Sequence, residues 1–253
     1  MNVADVFRTF DTTLKVSLAA RTLIASRHNR IAKILNRDFR GESDGTGHTL
    51  YVGSYGRGTA TEGVSDIDML MILPYSVQQK YDSYVYNGQS ALLQAVRSSL
   101  LSTYPNTTIK GDGQIVQVNF SDGMTFEILP CFDNYDGSYD YPDSNNGGSW
   151  KKTYPKAEID TFTEMNRNCN DNLYPLCRMA RTWKYNCGVP LKSCLLDLFA
   201  YRFLSDWLYK DRSYLYYDYM MRDYLLYLTN IPTTQSSWIM VGSNRLYTDS
   251  SYF

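Results

Sequence analysis

The spacing of hydrophobic positions changes along the chain, and the changes divide it into elements. Over residues 1–40, Phe7, Phe10, Leu14, Leu18, Leu23, Ile24, Ile31 and Leu35 recur near helical spacing, predicting an amphipathic helical region. A polar loop, GESDGTGH, covers 41–48. His48–Val52 reads as a short strand, and the apolar run IDMLMILP (67–74), ended by proline, reads as a buried one. Residues 114–120 and 124–129 flank Ser121-Asp122-Gly123, a hairpin signal. These strands predict a mixed sheet over 49–131, crossed by a helix at 88–103. Residues 133–149 are rich in Asp, Asn, Gly, Ser and Tyr and read as a linker between two lobes. Residues 156–229 read as mostly helical, with Leu173, Leu176, Cys177, Ala180, Trp183 and Lys184 near helical spacing and Trp183 as a core anchor. The tyrosines of 201–227 fit helix packing with wet hydroxyls, or rings offered to bases. The polar end, SNRLYTDSSYF, carries no clear final element, as in a piece of a longer protein or a chain lacking a C-terminal effector.

Candidate chemistry concentrates in residues 53–68, GSYGRGTATEGVSDID. Gly53-Ser54 follows a strand, and Tyr55–Ala60 can open a short helix. Glycine lets the backbone approach an anion closely, and free N–H groups at a helix start point at phosphate oxygens. Asp66 and Asp68 stand two apart on the next strand, so both carboxylates share one face while Ile67 points into the core. Adjacent carboxylates repel, and a hard cation such as Mg²⁺, which shares oxygen ligands with nucleotide phosphates, relieves the repulsion. Glu127 lies mid-strand between Phe126 and Ile128, where a charge is costly unless paired or metal-bound. It is the candidate third acid. Arg178, Arg181 and Lys184 are three apart and form a basic ridge on one helix face. Ser193 reads as the N-cap of a helix over 194–209. Asn166, Asn168 and Asn170 have amides able to read a base edge, or are simply exposed before a helix.

Composition narrows the class. The 253 residues suffice for one two-lobed unit or two small domains. A net charge of −1 is not that of an obligate nucleic-acid binder. Only residues 1–40 are biased, with eight Lys/Arg against three Asp, which reads first as a solvated basic face. Five cysteines, without a C-x-x-C pair, indicate reduced thiols in a cytoplasmic protein and no zinc site. There is no apolar signal segment and no membrane-spanning run.

Together, G-S…D-x-D and an acid on a later strand followed by proline (EILP) resemble the polymerase-β-type nucleotidyltransferases. The segments GSYGRGTATEGVSDIDML, FEILPCF, WKKTYP (150–155) and LCRMARTWKYNCGVPLKSCLLDLFAY (176–201) are most similar to the branch holding oligoadenylate synthetases, cyclic GMP-AMP synthase and bacterial CD-NTases. The resemblance spans roughly residues 45–230. It implies an α+β, two-lobed fold with a small mixed sheet, a helical lobe and a long bracing N-terminal helix. The expected division is 1–140 for that helix and the nucleotidyltransferase core, and 141–253 for the helical nucleotide-binding lobe. It further implies that Asp66, Asp68 and Glu127 bind Mg²⁺ (Mn²⁺ as substitute) and catalyse transfer. Gly53, Ser54, Arg181, Lys184 and Ser193 would hold the triphosphate, Arg181 standing where the family has a lysine and Lys184 one turn on as its stand-in.

The implied activity joins NTPs into a cyclic di- or oligonucleotide, releasing pyrophosphate. That product would be a second messenger of bacterial anti-phage type, read by a separate effector protein and made without obligatory nucleic acid. Two alternatives stay open: an RNA-end enzyme of the CCA-adding type, disfavoured by near-neutral charge, and a catalytically silent sensor, disfavoured by the intact acids.

Overall fold

A computed structural model describes residues 2–42, 46–232, 235 and 237–248. The chain forms two compact units that interleave in sequence. One comprises residues 17–56 and 64–155, the other 1–16, 57–63 and 156–253. The chain passes between these units at four points.

Two helices open the chain. α1 (Val3–Leu14) begins at Asn2, whose side chain accepts from the Asp5 amide, and ends at Lys15. α2 (Leu18–Arg40) is the long N-terminal helix, capped by the Ser17 hydroxyl. Cap chemistry at 15–17 thus breaks the expected helical region in two. α1 belongs to the helical unit and α2 to the sheet unit. The polar loop before β1 lies partly outside the described residues.

In the sheet unit, β1 (Thr49–Tyr51) leads through the single turn α3 (Gly53–Gly56) to β2 (Asp66–Ile72). Then come α4 (Tyr75–Asp82), α5 (Gly88–Thr103), β3 (Thr108–Asp112), β4 (Ile115–Asn119) and β5 (Thr125–Asp133). The sheet order is β1-β2-β5-β4-β3, with β2 and β5 parallel and the other pairs antiparallel. Ile67, Met69, Phe126, Ile128, Val116 and Val118 are fully buried, as strand alternation requires of one face. From α2, Ile24, Ile31, Ala32 and Leu35 are buried, and from α5, Leu92, Val96 and Leu100.

The segment expected to be a linker is structured. β6 (Tyr139–Asp143) and β7 (Ser149–Thr153) form a hairpin that extends the sheet from the end of β5. Trp150 on β7 packs edge-on against Phe132 and donates its indole N–H to Asp82 at 3.0 Å.

The helical unit adds α6 (Pro155–Asn168), α7 (Leu173–Asn186), α8 (Ser193–Asp206) and α9 (Tyr217–Thr229). A short pair follows, β8 (Ser237–Ile239) with β9 (Leu246–Thr248); β9 lies inside the polar end that showed no element in sequence, and residues 249–253 lie outside the described residues. Its core is Phe162, Leu173, Leu176, Leu196, Phe199, Leu204 and Tyr224 with their neighbours. The tyrosines pack: the Tyr224 hydroxyl donates to the Leu196 carbonyl, and Tyr209, Tyr216 and Tyr219 continue a run of ring contacts from Trp207. Among the described residues no helix is long and apolar enough to cross a membrane.

Candidate active site

The turn after β1 is shaped for close approach. The Val52 amide donates to the Asp68 carbonyl at 3.0 Å, carrying the β1–β2 ladder to the start of the turn, and the Gly56 amide donates to the Val52 carbonyl at 2.9 Å. Gly53 adopts φ +59°, and a Cβ there would fall 1.8 Å from the Asp68 Oδ2. Glycine is required at this position twice over, for the left-handed backbone and for the carboxylate against it. Behind the turn, the Tyr51 ring stacks on His28 at 4.2 Å and meets Tyr55 edge-on at 5.1 Å. α3 is one turn long, so phosphate binding here would rest on individual N–H groups and the Ser54 hydroxyl rather than on a helix dipole.

Strand pairing sets the acids. Asp68 is the register partner of Glu127, and Asp66 of Thr125, on the parallel pair β2–β5. Neighbours in register share a face, so Asp66, Asp68 and Glu127 all lie opposite the apolar core. Asp66 is exposed, while Asp68 and Glu127 are half-buried. On β4, Gln117 pairs in register with Glu127 and donates Nε2 to its Oε1 at 2.8 Å. Gln117 was not among the sequence candidates, although it is as far before Asp122 in the hairpin turn as Glu127 is after it. The Ser65 hydroxyl donates to Asp66 Oδ1 at 3.3 Å.

The donor set fits a hard divalent cation: three carboxylates on one face, of which Asp68 and Glu127 are adjacent in register. Yet among the described residues no three His, Cys, Asp or Glu side chains converge on one point. A bound ion would therefore require the three carboxylates to draw together.

In the helical unit, the predicted basic ridge is largely consumed. Arg178 is buried and grips Asp11 Oδ1 through Nε at 3.1 Å and Nη2 at 2.6 Å. Arg181, expected to meet phosphate first, makes a two-pronged bond to Asp197, Nε to Oδ1 at 2.9 Å and Nη2 to Oδ2 at 2.5 Å. Asp197 Oδ2 also accepts from Arg57 Nη2 at 3.2 Å and from the Thr59 hydroxyl at 2.8 Å. Arg57 Nη1 reaches Glu158 at 3.4 Å. Burial opposes the Asp197 charge, but the two guanidiniums and Thr59 overcome it and hold the carboxyl below its ordinary range. Burial pushes Glu158 upward, with Arg57 opposing. Burial likewise pushes the Cys177 thiol well up, so it stays protonated and inert.

Lys184 and Ser193 are brought together, Nζ donating to Oγ at 3.2 Å. Ser193 is the first residue of α8 rather than its cap; Lys192 takes the cap position and no side chain caps the helix, which ends at Asp206 instead of 209. Asn166 is buried, donating to Asp171 and accepting from the Tyr174 amide, and Asn170 donates to the Arg212 carbonyl. The Asn166 amide is engaged at both its nitrogen and its oxygen within the α6–α7 turn, whereas Asn170 is exposed.

Arg57, Thr59, Glu158 and Asp197 were absent from the sequence candidates. The only local signal was the buried position of Asp197 in an otherwise apolar stretch, LLDLFA.

Known proteins resemble the chain in sequence and in fold. A probable cyclic nucleotide synthase of Bacillus cereus (strain VD146) is 22% identical over 172 residues, 57% of this chain and 52% of that protein. The chain thus spans about half the length of that curated relative. Among solved structures, the CdnC of E. coli MS115-1, in a CdnC:HORMA-deltaN complex, gives a TM-score of 0.64 at 16% identity over 89% of this chain and 70% of that one. The Elizabethkingia meningoseptica CdnE cyclic dinucleotide synthase, with GTP and Apcpp, gives 0.64 at 15% identity over 89% and 83%. These likenesses show the fold, which is that of the CD-NTases. The family model for the Second Messenger Oligonucleotide or Dinucleotide Synthetase domain matches residues 1–166, so the chain belongs to that family.

Proposed function

We propose that this chain is a Mg²⁺-dependent nucleotidyltransferase that joins NTPs into a cyclic di- or oligonucleotide and releases pyrophosphate. The observation that carries the reading is the register pairing of Asp68 with Glu127, with the Asp68 carboxylate packed against Gly53. Few chemistries need a close-approach turn and a row of carboxylates within one strand's reach. In each transfer a ribose hydroxyl oxygen bonds to the α-phosphorus of an NTP, the bond from that phosphorus to the β-phosphate oxygen breaks, and pyrophosphate leaves. A second transfer within the linear product closes the ring.

When bound, Mg²⁺ would supply charge neutralisation at the triphosphate and a more acidic acceptor hydroxyl. Asp66, Asp68 and Glu127 would hold it. Glu127, with Oε1 engaged by Gln117, keeps Oε2 for the metal or the hydroxyl proton. The Gly53-Ser54 turn offers N–H groups and a hydroxyl to phosphate. In the helical unit Lys184 and Ser193 set an ammonium and a hydroxyl side by side, a pair suited to phosphate oxygens. Arg181 leaves that role to Lys184, because Asp197 occupies its fork.

The structure of the Elizabethkingia meningoseptica CdnE with GTP and Apcpp supports ribonucleotides as substrates here. The product would act on a separate effector in the cytoplasm, in anti-phage defence. Nucleic acid would not be required: Arg27 on α2 is bidentate to Asp122 at 3.0 and 2.9 Å and lies over Phe120, and Arg30 lies over Tyr104, so this basic stretch is partly committed to its own unit.

Labelled NTPs incubated with the protein and Mg²⁺ or Mn²⁺, with and without RNA or duplex DNA, test the reading. Phosphatase-resistant small products without nucleic acid are expected. Extension of added RNA would favour an RNA-end enzyme, and no incorporation at all a silent sensor.

A further inference from the structure

The Asp197 cluster has no part in the chemistry as described, and a buried ionic cluster is an expensive way to stabilise a helical core. Apolar residues of similar volume often serve as well or better, and the best-attested use of buried charge is to fix one arrangement among several. What this cluster fixes is specific. Asp197 lies one helical turn beyond Ser193 on α8. Arg181 lies just under one turn before Lys184 on α7. The two-pronged bond between Arg181 and Asp197 therefore sets the register of α7 against α8 beside the 3.2 Å Lys184–Ser193 contact. A guanidinium fork on a carboxylate constrains both distance and angle, which a single apolar contact does not.

The same carboxylate holds a third element. Arg57 and Thr59, the residues that directly follow α3 in sequence, both donate to Oδ2, and each is buried. Between them Gly58 takes φ +76°, with the Tyr174 ring 3.2 Å from where a Cβ would lie. One oxygen atom thus receives three donors from two segments far apart in sequence.

We propose that Asp197 is a positioning residue for triphosphate binding: through Arg181 and Thr59 it holds α7, α8 and the 57–59 segment so that Lys184 and Ser193 present a fixed phosphate-binding pair. The inference rests on the nucleotidyltransferase reading above. It assigns no contact between Asp197 and substrate, since Asp197 is fully buried.

Thr59→Val tests it with little change of shape. The variant removes one donor to Oδ2 and leaves both guanidinium bonds. KM for the NTP should rise about tenfold, as for loss of one charge-assisted hydrogen bond, with kcat changed less than about threefold. The Kd of a non-hydrolysable NTP should rise in parallel while the melting temperature moves little. The discriminating readout is a double-mutant cycle with Lys184→Ala. If Thr59 acts through Lys184, adding Thr59→Val to Lys184→Ala raises KM no further; independent, additive effects would overturn the proposal. So would wild-type KM and Kd in Thr59→Val. Should Thr59→Val not fold, Arg181→Lys, which keeps the charge but loses the fork, is read in the same way. A wild-type protein that makes product while these variants match it would sink this inference alone. A wild-type protein that neither makes product nor binds an NTP would sink the functional reading and this inference together.

Discussion

Two sets of carboxylates in this chain have opposite fates. Asp66, Asp68 and Glu127 sit on a half-open sheet face, and among the described residues no guanidinium or ammonium is bonded to Asp66 or Glu127. Asp197 is fully buried and receives two guanidiniums and a hydroxyl. Asp66 and Glu127 keep their charge available for a ligand. The second set spends its charge on neighbours and so becomes part of the scaffold. Residue type alone does not separate them; what does is the partner each finds in the fold. The basic side chains divide the same way, Arg178 and Arg181 turned inward to acids and Lys184 left beside a hydroxyl.

The sharpest break is at the open set. Asp68→Asn should abolish product altogether, and Asp66→Asn should do the same. Neither should lower the melting temperature, since removing one of several neighbouring negative charges relieves repulsion. Turnover retained in either variant would remove the carboxylate face from the chemistry.

At the closed set the order of effects reverses. Asp197→Ala leaves two buried guanidiniums without their shared acceptor, a change that costs about 3–5 kcal/mol. For a chain of this size that lowers the melting temperature by roughly 10 °C or more. Calorimetry decides it, and an unchanged transition would mean the cluster is not built as described.

How far this contrast was legible in sequence follows from the range of the interactions. Asp66, Asp68 and Glu127 are set by strand alternation and a three-residue hairpin turn, both local, so their shared face could be read from period and spacing. The helix at 88–103 was equally local, matching α5. The β6–β7 hairpin was hidden because its turns carry Gly137, Asn146, Gly147 and Gly148 at positive φ, and so many turn residues mask strands of five residues. Of the Asp197 cluster only the lone acid in LLDLFA was visible. Its partners come from residues 57–59 and 181, and nothing local to residue 181 tells an arginine facing phosphate from one facing an acid across the core.

Lys184 and Arg181 sharpen the comparison within a single helix. Lys184→Ala should weaken binding of a non-hydrolysable NTP about ten- to a hundredfold, the loss of a charge-assisted phosphate contact, at unchanged melting temperature. Arg181→Ala should instead lower the melting temperature toward that of Asp197→Ala. Titration and melting of both variants separate the roles. Arg181→Ala that melts like wild type yet loses the NTP would return Arg181 to the phosphate site.

The smallest effect expected is at Glu158, on the edge of the closed set. Burial raises its carboxyl above the ordinary 4.5, against the pull of Arg57, while Asp197 is held below its ordinary range. The two therefore act on stability with opposite sign. Asp197 binds fewer protons folded than unfolded, so its contribution is present above the unfolded value and is lost as pH falls through the folded one. Glu158 binds more protons folded than unfolded between its two values, so stability declines there as pH rises. Glu158→Gln removes that decline and leaves the Asp197 contribution in place. The difference in melting temperature, variant minus wild type, should therefore become more positive as pH rises from 4.5 through the folded value, then level off. Melting curves of both proteins across that window measure it. A difference that is flat, or that falls with pH, would show that Glu158 is ionised by Arg57 as readily as Asp197 is, and that the cluster holds two carboxylates of one kind instead of two.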